Sequence, residues 1–271
     1  MVQTDNIFVP NTSPENFLIK HIWKVNKSDF GIEKEKILPK GTAEIIFNLS
    51  KNVLCFKDSE SSTFRFYQCN INGLNTSPVH LIKNESQTFI GIQMHVFALK
   101  CLFGIPAKEF TNRVLNGFDI CDSLKELYDQ LLFTDTFESQ VNCIILWLKK
   151  RLKDYSVSVN KFKIFDLGNS TETESLSVKS ICRKYNLSDR HLRRLSAEYL
   201  GMNTEDYILY QKYLNSLYTI HNKSNSLTTV AYKSGFYDQA HFIREFKTFT
   251  GITPGEYRKQ MGSYPGHLFS K

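Results

Sequence analysis

Two clusters of long polar side chains in the C-terminal part of this 271-residue chain have the chemistry to recognise a ligand. An arginine can hydrogen-bond to O6 and N7 of guanine together, and a glutamine can do the same with N6 and N7 of adenine. The clusters are Arg190, Arg193 and Arg194 in the first, and Gln239, His241 and Arg244 in the second. Such side chains read base edges only if helices hold them on an outer face.

The second cluster lies on a predicted helix whose apolar side faces the other way. Phe242, Phe246 and Phe249 recur at i, i+4 and i+7 and so form one buried stripe. Asp238 is a good N-cap for this helix. Gly235 can end a short preceding helix at positive φ, which few other residues adopt. The pattern predicts a helix-turn-helix with a polar outer face.

The first cluster lies in a unit of the same construction. Asn186, which tolerates the left-handed conformation, occupies the predicted turn, and Ser188 can cap the second helix. Leu192, Leu195 and Tyr199 form its inward stripe. An αα-hairpin buried in a helical bundle would explain one such unit, but it gives no reason for two in succession.

A connector helix is predicted between the two units. Thr204 can cap a helix from residue 205 to about residue 220, on which Ile208, Leu214 and Leu217 are the expected buried residues and Lys212 is exposed. Such a rod would hold two recognition helices apart. If both lie on one face of a duplex, they enter successive major grooves, about 34 Å apart.

Residues 176–260 resemble the DNA-binding domain of the AraC/XylS family of bacterial transcription regulators. The resemblance rests on the doubled unit and on two runs of sequence. These are Gly235-Phe236-x-Asp238-Gln239-x-x-Phe242-x-Arg244-x-Phe246-Lys247 and Gly251-x-Thr253-Pro254-x-x-Tyr257-Arg258. Three positions depart from the family pattern, with Asn186 for glycine in the first turn and Cys182 and Ser216 for alanine.

The resemblance implies which side chains face the DNA. The base-facing positions would be Arg190, Arg193, Arg194, Gln239, Ala240, His241, Ile243 and Arg244. We expect direct readout from Arg190, Arg193, Gln239 and His241, and a phosphate contact from Lys212. Arg194 and Arg244 could equally bind phosphates, which positions a protein without reading sequence. Locally, Arg194 could instead pair with Glu198 at i+4, whereas Arg244 has Glu245 only as a poorly facing neighbour.

The N-terminal half has the alternating pattern of β-strands. Ala43, Ile45, Phe47 and Leu49 alternate with polar residues, and further strands are predicted at 53–56, 63–68, 79–82 and 88–96. This pattern indicates an antiparallel sheet, which could close into a barrel or a sandwich. Helices are predicted at 97–103, at 123–132 behind a capping box that begins at Ser123, and at 137–152.

The predicted fold class is therefore α+β with two domains: an antiparallel β barrel or sandwich with helices, then an all-α, homeodomain-like double helix-turn-helix. The predicted boundaries are 1–153 for the first domain, 154–175 for a linker, 176–260 for the DNA-binding domain and 261–271 for a tail. The N-terminal half is similar, more weakly, to the sensing or dimerising domains of AraC-type regulators, through Leu38-Pro39-x-Gly41 and Gly91-Ile92.

The family resemblance implies a transcription regulator, an activator that binds promoter DNA and recruits RNA polymerase. A small-molecule effector or a partner would act through the N-terminal domain, and that domain could also form a homodimer. An alternative of another class is a small-molecule-binding or interaction protein whose helical domain has lost DNA affinity.

Composition and motifs narrow the remaining classes. Of the net charge of +7, residues 172–271 carry 14 Lys and Arg against 9 Asp and Glu, a basic excess that suits a polyanionic partner. The N-terminus has no signal-peptide pattern and the six cysteines are widely spaced, so we expect a cytoplasmic protein without a membrane span. No catalytic motif is present, and His80 and His95 lack a metal-ligand pattern, so no enzyme, cofactor or metal is predicted.

Overall fold

The computed structural model describes residues 6–11, 15–27, 33–50, 54–58, 62–83, 87–154, 177–222, 224–262 and 265–270. Its N-terminal part is built mainly of antiparallel strands. They are β1 (Asn6–Phe8), β2 (Ile19–Lys27), β3 (Glu33–Ile37), β4 (Ala43–Asn48), β5 (Leu54–Asp58), β6 (Ser62–Phe66), β7 (Cys69–Asn72), β8 (Val79–Lys83), β9 (Gln87–Met94) and β10 (Val114–Asn116), with β11 (His267–Ser270) at the far end of the chain.

Most of these strands form one sheet of six, in the order β1-β2-β9-β4-β7-β10. The central strands β4 and β9 pair over six residues, from Ala43 opposite Met94 to Asn48 opposite Phe89. A sheet of three has the order β11-β3-β8, and β5 and β6 form a hairpin. All of these pairs are antiparallel, as the alternating sequence predicts.

The barrel that the sequence allowed is not closed. The edge strands of the six-stranded sheet, β1 and β10, do not pair with each other in the described part of the chain, and β3 and β8 belong to a separate sheet. The N-terminal part is thus a set of antiparallel sheets covered by helices. The prediction of an antiparallel β-rich domain with helices is confirmed, and its barrel form is wrong.

Helices cover the six-stranded sheet and complete its core. They are α1 (Glu15–Leu18), α2 (Ala98–Phe103), α3 (Gly117–Ile120), α4 (Ser123–Leu132) and α5 (Phe137–Asp154). Gly104 ends α2 in the left-handed conformation. The capping box predicted at Ser123 is wrong, because the Ser123 hydroxyl accepts a hydrogen bond from Trp147 Nε1 at 2.9 Å and Asp122 occupies the N-cap.

The C-terminal part is helical. Its helices are α6 (Val178–Tyr185), α7 (Asp189–Leu195), α8 (Thr204–Thr219), α9 (Leu227–Lys233), α10 (Gln239–Thr250) and α11 (Pro254–Gln260), and a π-helical turn, Ser196–Leu200, extends α7. Asn203, not Thr204, caps α8, because the Thr204 hydroxyl is buried against Ser196 Oγ at 2.9 Å. The predicted double helix-turn-helix is confirmed.

The two parts share their cores. One apolar cluster joins residues of the large sheet and its helices, such as Ile45 and Leu102, to Ile181 and Leu192 of the first helical unit. The connection expected at 154–175 lies, apart from Asp154, outside the described residues. The tail expected at 261–271 contains β11, which pairs with β3 of the N-terminal part.

Three further features of the described residues bear on function. No helix among them is long and apolar enough to cross a membrane. Within the same ranges, no group of three or more His, Cys, Asp or Glu side chains is placed to hold a metal ion. The five cysteines whose side chains are described are free thiols, and burial raises the pKa of Cys101 to about 12, so that thiol is not activated.

Candidate nucleic-acid interface

The first helix-turn-helix is closed by local hydrogen bonds at its two helix caps and in its turn. Ser177 caps α6 and exchanges hydrogen bonds with Ser180 in a capping box. Asn186 ends α6 in the left-handed conformation at φ 52°, and Leu187 N donates to Cys182 O at 2.9 Å. Ser188 then caps α7, its side chain accepting from the backbone N–H of His191. The predicted roles of Asn186 and Ser188 are confirmed.

The second unit repeats these parts in the same order. Ser226 caps α9, and Gly235 takes positive φ at 81° in the turn. Phe236 N donates to Ala231 O at 3.0 Å, the counterpart of the bond that closes the first turn. Asp238 caps α10, with Oδ1 accepting from His241 N at 2.7 Å. Both turns therefore set a second helix at a fixed angle to the first.

The buried side of each second helix leaves its polar residues outside. On α10, Phe242 and Phe246 are fully buried and Phe249 is 9% exposed, as the sequence predicts. On α7, Leu192 is buried. The opposite sides of both helices face solvent, so the polar clusters do not point into the protein.

The three arginines of the first cluster, Arg190, Arg193 and Arg194, are exposed, but they differ in their contacts. Arg193 Nε donates to Asp189 Oδ2 at 3.1 Å, and its Nη1 donates to Glu205 Oε2 of α8 at 2.9 Å. The hydrogen bond that Arg193 donates to Asp189, followed by the charges of Asp189 and Glu205, raises the pKa of Arg193. Arg193 thus ties α7 to α8 and must leave this clamp, formed by Asp189 and Glu205, before it can reach a base.

Arg194 does not form the local ion pair that its spacing allowed. Its Nη2 lies 3.5 Å from His191 Nε2. Glu198, the expected partner at i+4, instead pairs with Lys100 of α2 at 3.2 Å. Arg190 and Arg194 are both exposed, and within the described part of the chain most of their N–H donors remain open to solvent.

In the second unit, the predicted positions fall into two classes of burial. Ala240 and Arg244 are exposed, and Gln239 and His241 are half-buried. Ile243 is also half-buried and packs against the core of the second unit, so only part of it can face a ligand.

The polar side chains of α10 have partners within the domain. Arg244 Nε donates to Glu245 Oε1 at 3.1 Å, so the pair that the sequence disfavoured does form. The same carboxylate oxygen lies 3.7 Å from His241 Nε2. Gln239 Oε1 accepts from Thr228 Oγ1 of α9 at 2.6 Å, which leaves the amide N–H donors of Gln239 for a base or phosphate.

Lys212 lies on α8, between the two units in sequence. It is half-buried rather than fully exposed as predicted, because α8 is more enclosed than its apolar pattern suggests. Tyr207, Tyr210 and Tyr213 are buried on this helix, in addition to the expected Leu214 and Leu217. Ile208, also expected in the core, is only half-buried.

The sequence pattern did not reveal several residues beside the polar faces. Tyr237, in the turn before α10, is 85% exposed, and Tyr232 at the end of α9 is 56% exposed. Two exposed tyrosines beside a recognition helix offer hydroxyl groups to a phosphate backbone. The partners Asp189, Glu205 and Thr228 were also missed, although the i+4 spacing of Asp189 and Arg193 is a signal that could have found one of them.

Comparisons with known proteins match both parts of the chain separately. A family model described as a helix-turn-helix domain matches residues 181–260, and a model for a domain of unknown function (DUF6597) matches residues 15–116. The HTH-type transcriptional activator RhaR of Cronobacter sakazakii is 29% identical over 100 residues, which are 37% of this chain and 35% of RhaR. The C-terminal part of the chain thus carries an AraC/XylS-type helix-turn-helix domain.

The other similar proteins include a second regulator and a solved structure. The Msm operon regulatory protein of Streptococcus mutans is 30% identical over 87 residues, 32% of this chain and 31% of that protein. The structural match to ToxT from Vibrio cholerae covers 88% of this chain and 97% of ToxT, with a TM-score of 0.46 and a sequence identity of 16%. The chain thus spans only 35% of the length of RhaR and 31% of the length of the Msm protein. These two relatives are named as regulators.

The departures of the AraC/XylS-type domain from the family pattern are accommodated. Asn186 takes the left-handed conformation that a glycine would supply, at φ 52° and ψ 49°. Ser216 is buried, and its hydroxyl donates to Tyr213 O at 2.6 Å, so its polar group is satisfied inside α8. Cys182 is half-buried at the edge of the shared core.

Proposed function

We propose that this protein is a sequence-specific DNA-binding regulator of transcription whose two helix-turn-helix units read successive major grooves of promoter DNA. One observation carries the proposal: two like-built units each bury an apolar stripe and turn a polar face outward. The 16-residue α8 lies between them and is roughly 24 Å long, a rod of the same order as the groove spacing.

We assign the side chains by their chemistry and exposure. In this assignment Arg190, Gln239 and His241 bond to base edges, and Arg193 joins them once it leaves Asp189 and Glu205. The remaining cationic side chains, Arg194, Lys212 and Arg244, bind phosphates. Ala240 and the exposed part of Ile243 lie at the surface that approaches the bases.

The wider regulatory role is part of the same proposal. The β-rich N-terminal part shares a core with the first unit, so a small-molecule effector or a partner bound there can influence DNA binding. We propose a cytoplasmic activator that contacts RNA polymerase and that can form a homodimer. The similarity to RhaR, a transcriptional activator, supports the activator role.

The experiment is a selection of preferred duplexes from a random library, followed by binding titrations of the selected and a random duplex over a range of salt concentrations. Gln239→Ala should weaken binding to the selected duplex by about 1–3 kcal/mol and leave binding to random DNA nearly unchanged. Lys212→Ala should weaken binding to both and reduce the salt slope by about one at most.

Gln130→Ala is the matched control, because Gln130 is an exposed glutamine on α4 of the other domain. It should change neither affinity. If no sequence is enriched and binding to duplex DNA shows no salt dependence, the helical domain has lost DNA affinity. The chain would then be a small-molecule-binding or interaction protein.

A further inference from the structure

The turn that links β3 to β4, residues 38–41, is held on two sides by the C-terminal part of the chain. We propose that this coupling turn, with Tyr210 and Tyr213 of α8, transmits changes between the β-rich domain and the second recognition helix α10. The inference rests on the proposed function only in naming DNA as the ligand of α10.

On its first side, the coupling turn is bonded to α8 by two tyrosine hydroxyls. Tyr213 donates its hydroxyl hydrogen to Pro39 O at 3.0 Å. The Tyr210 hydroxyl accepts from Gly41 N at 2.9 Å and donates to Asn75 O at 2.9 Å. Both tyrosines are almost fully buried. These bonds are directional, so they fix the position of the turn along α8 and not only its distance from the helix.

The rings of the same two tyrosines pack on α10. The Tyr213 ring stacks on Phe249, with centroids 4.8 Å apart, and meets Phe246 edge-on at 5.7 Å. The Tyr210 ring meets Phe249 edge-on at 5.2 Å. Each tyrosine therefore touches the buried stripe of the recognition helix with its ring and the β-rich domain with its hydroxyl. Each of these side chains alone therefore spans the distance between α10 and the β-rich domain.

On its second side, the coupling turn is held by the C-terminal strand β11. Leu38 N donates to Gly266 O at 2.8 Å, and Lys40 Nζ lies 3.3 Å from His267 Nε2. His267 Nδ1 lies 2.6 Å from Glu35 Oε1, a buried carboxylate on β3. The strand that follows α11 thus returns to the β3 that leads into the turn.

The coupling turn has little freedom to move between these two supports. Gly41 adopts φ +69°, a conformation that favours glycine, and a Cβ at this position would collide with Leu214 of α8. Leu38 is 1% exposed in the core of the second unit. Since packed interfaces shift between discrete arrangements instead of deforming continuously, a change in β3 or β4 must move the tyrosines or break their bonds.

The test is hydrogen exchange of the full-length protein, with and without the selected duplex, followed by mass spectrometry of peptides that cover 33–42 and 239–250. The variant is Tyr210→Phe with Tyr213→Phe, which removes the hydroxyls and keeps the rings on α10. The control is Tyr218→Phe, the same change on the same helix at a side chain that is 54% exposed. Circular dichroism checks that each variant folds.

In the wild type and in Tyr218→Phe, we expect the duplex to slow exchange in 239–250 and also in 33–42. In the double variant, the duplex should still slow exchange in 239–250 but not in 33–42. Without DNA, exchange in 33–42 should be at least about fivefold faster in the double variant, because a hydrogen bond contributes a factor of roughly that size.

Two results would overturn the coupling. One is a double variant in which the duplex still slows exchange in 33–42 as it does in the wild type. The other is a wild type in which the duplex slows exchange in 239–250 alone. If the duplex slows exchange nowhere, the proposed DNA-binding function fails instead. In that case the coupling is tested without DNA. It is supported if both peptides exchange faster in the double variant than in Tyr218→Phe, and it is overturned if they do not.

Discussion

One face of helix α10 packs in the core, and the opposite face is open to bind DNA. Two substitutions on this helix should separate the two roles. Phe246→Ala removes a fully buried ring that meets Phe242 at 5.7 Å and Tyr257 at 5.6 Å. Burial of this kind makes a phenylalanine-to-alanine change cost about 3–5 kcal/mol, a large part of the roughly 5–15 kcal/mol of a typical domain. Arg244→Ala truncates an exposed side chain on the opposite face.

The Arg244 side chain is 72% exposed, and its described ion pair is with the adjacent Glu245. Removing such a group changes stability by about 0.5 kcal/mol or less. We expect Arg244→Ala instead to weaken binding to duplex DNA and to reduce the salt slope by about one, as for the loss of one phosphate contact.

The assays are urea denaturation followed by circular dichroism for stability, and fluorescence anisotropy with a labelled duplex for binding. Thr248→Ala is the control for the outer face, since Thr248 is exposed on the same helix. The reasoning is refuted if Arg244→Ala destabilises the protein as much as Phe246→Ala does. It is also refuted if Phe246→Ala leaves the urea midpoint unchanged.

Three further outcomes follow from single contacts. Glu205→Gln should strengthen binding to the selected duplex, because it opens the clamp on Arg193, and a titration that shows equal or weaker binding would contradict this. Asp238→Ala should lower the free energy of unfolding by about 1 kcal/mol through loss of the α10 cap, measured by urea denaturation. Burial lowers the pKa of His221, whose Nε2 lies 2.8 Å from the Tyr257 hydroxyl. Below the ordinary histidine pKa of 6.5, the unfolded chain therefore binds more protons than the folded chain does. Stability should therefore fall as the pH drops below that value, and His221→Gln should make the fall smaller, whereas an unchanged pH slope would exclude His221 as a cause.

Local features of the DNA-binding part could be predicted from the sequence because their causes are local. A left-handed turn at Asn186 and a cap at Asp238 each depend on residues within one helical turn. The apolar stripe of α10 depends on a period that the chain itself carries. Such signals do not change when the rest of the molecule is added.

Other predictions failed because a distant residue took the group on which they relied. The Ser123 hydroxyl bonds to Trp147, Thr204 bonds to Ser196, and Glu198 pairs with Lys100. Each of these groups could form the predicted local bond, and in each case a partner brought by the fold replaced it.

The contacts between the two parts of the chain could not be read from the sequence. Tyr213 bonds to Pro39 and β11 pairs with β3 across more than half of the chain length, and no period or cap indicates such pairings. The open sheet has the same origin. Alternation identifies a strand with one buried face, but it does not say whether the last strand returns to the first.

The central claim is that two like-built units contact the duplex together, and hydroxyl-radical footprinting of the wild-type protein on its selected duplex tests it most directly. The account predicts two protected segments on one face of the DNA, with centres about 10 base pairs apart, and weaker protection of only the second segment in Gln239→Ala. A single protected segment, or two segments on opposite faces of the duplex, would contradict it.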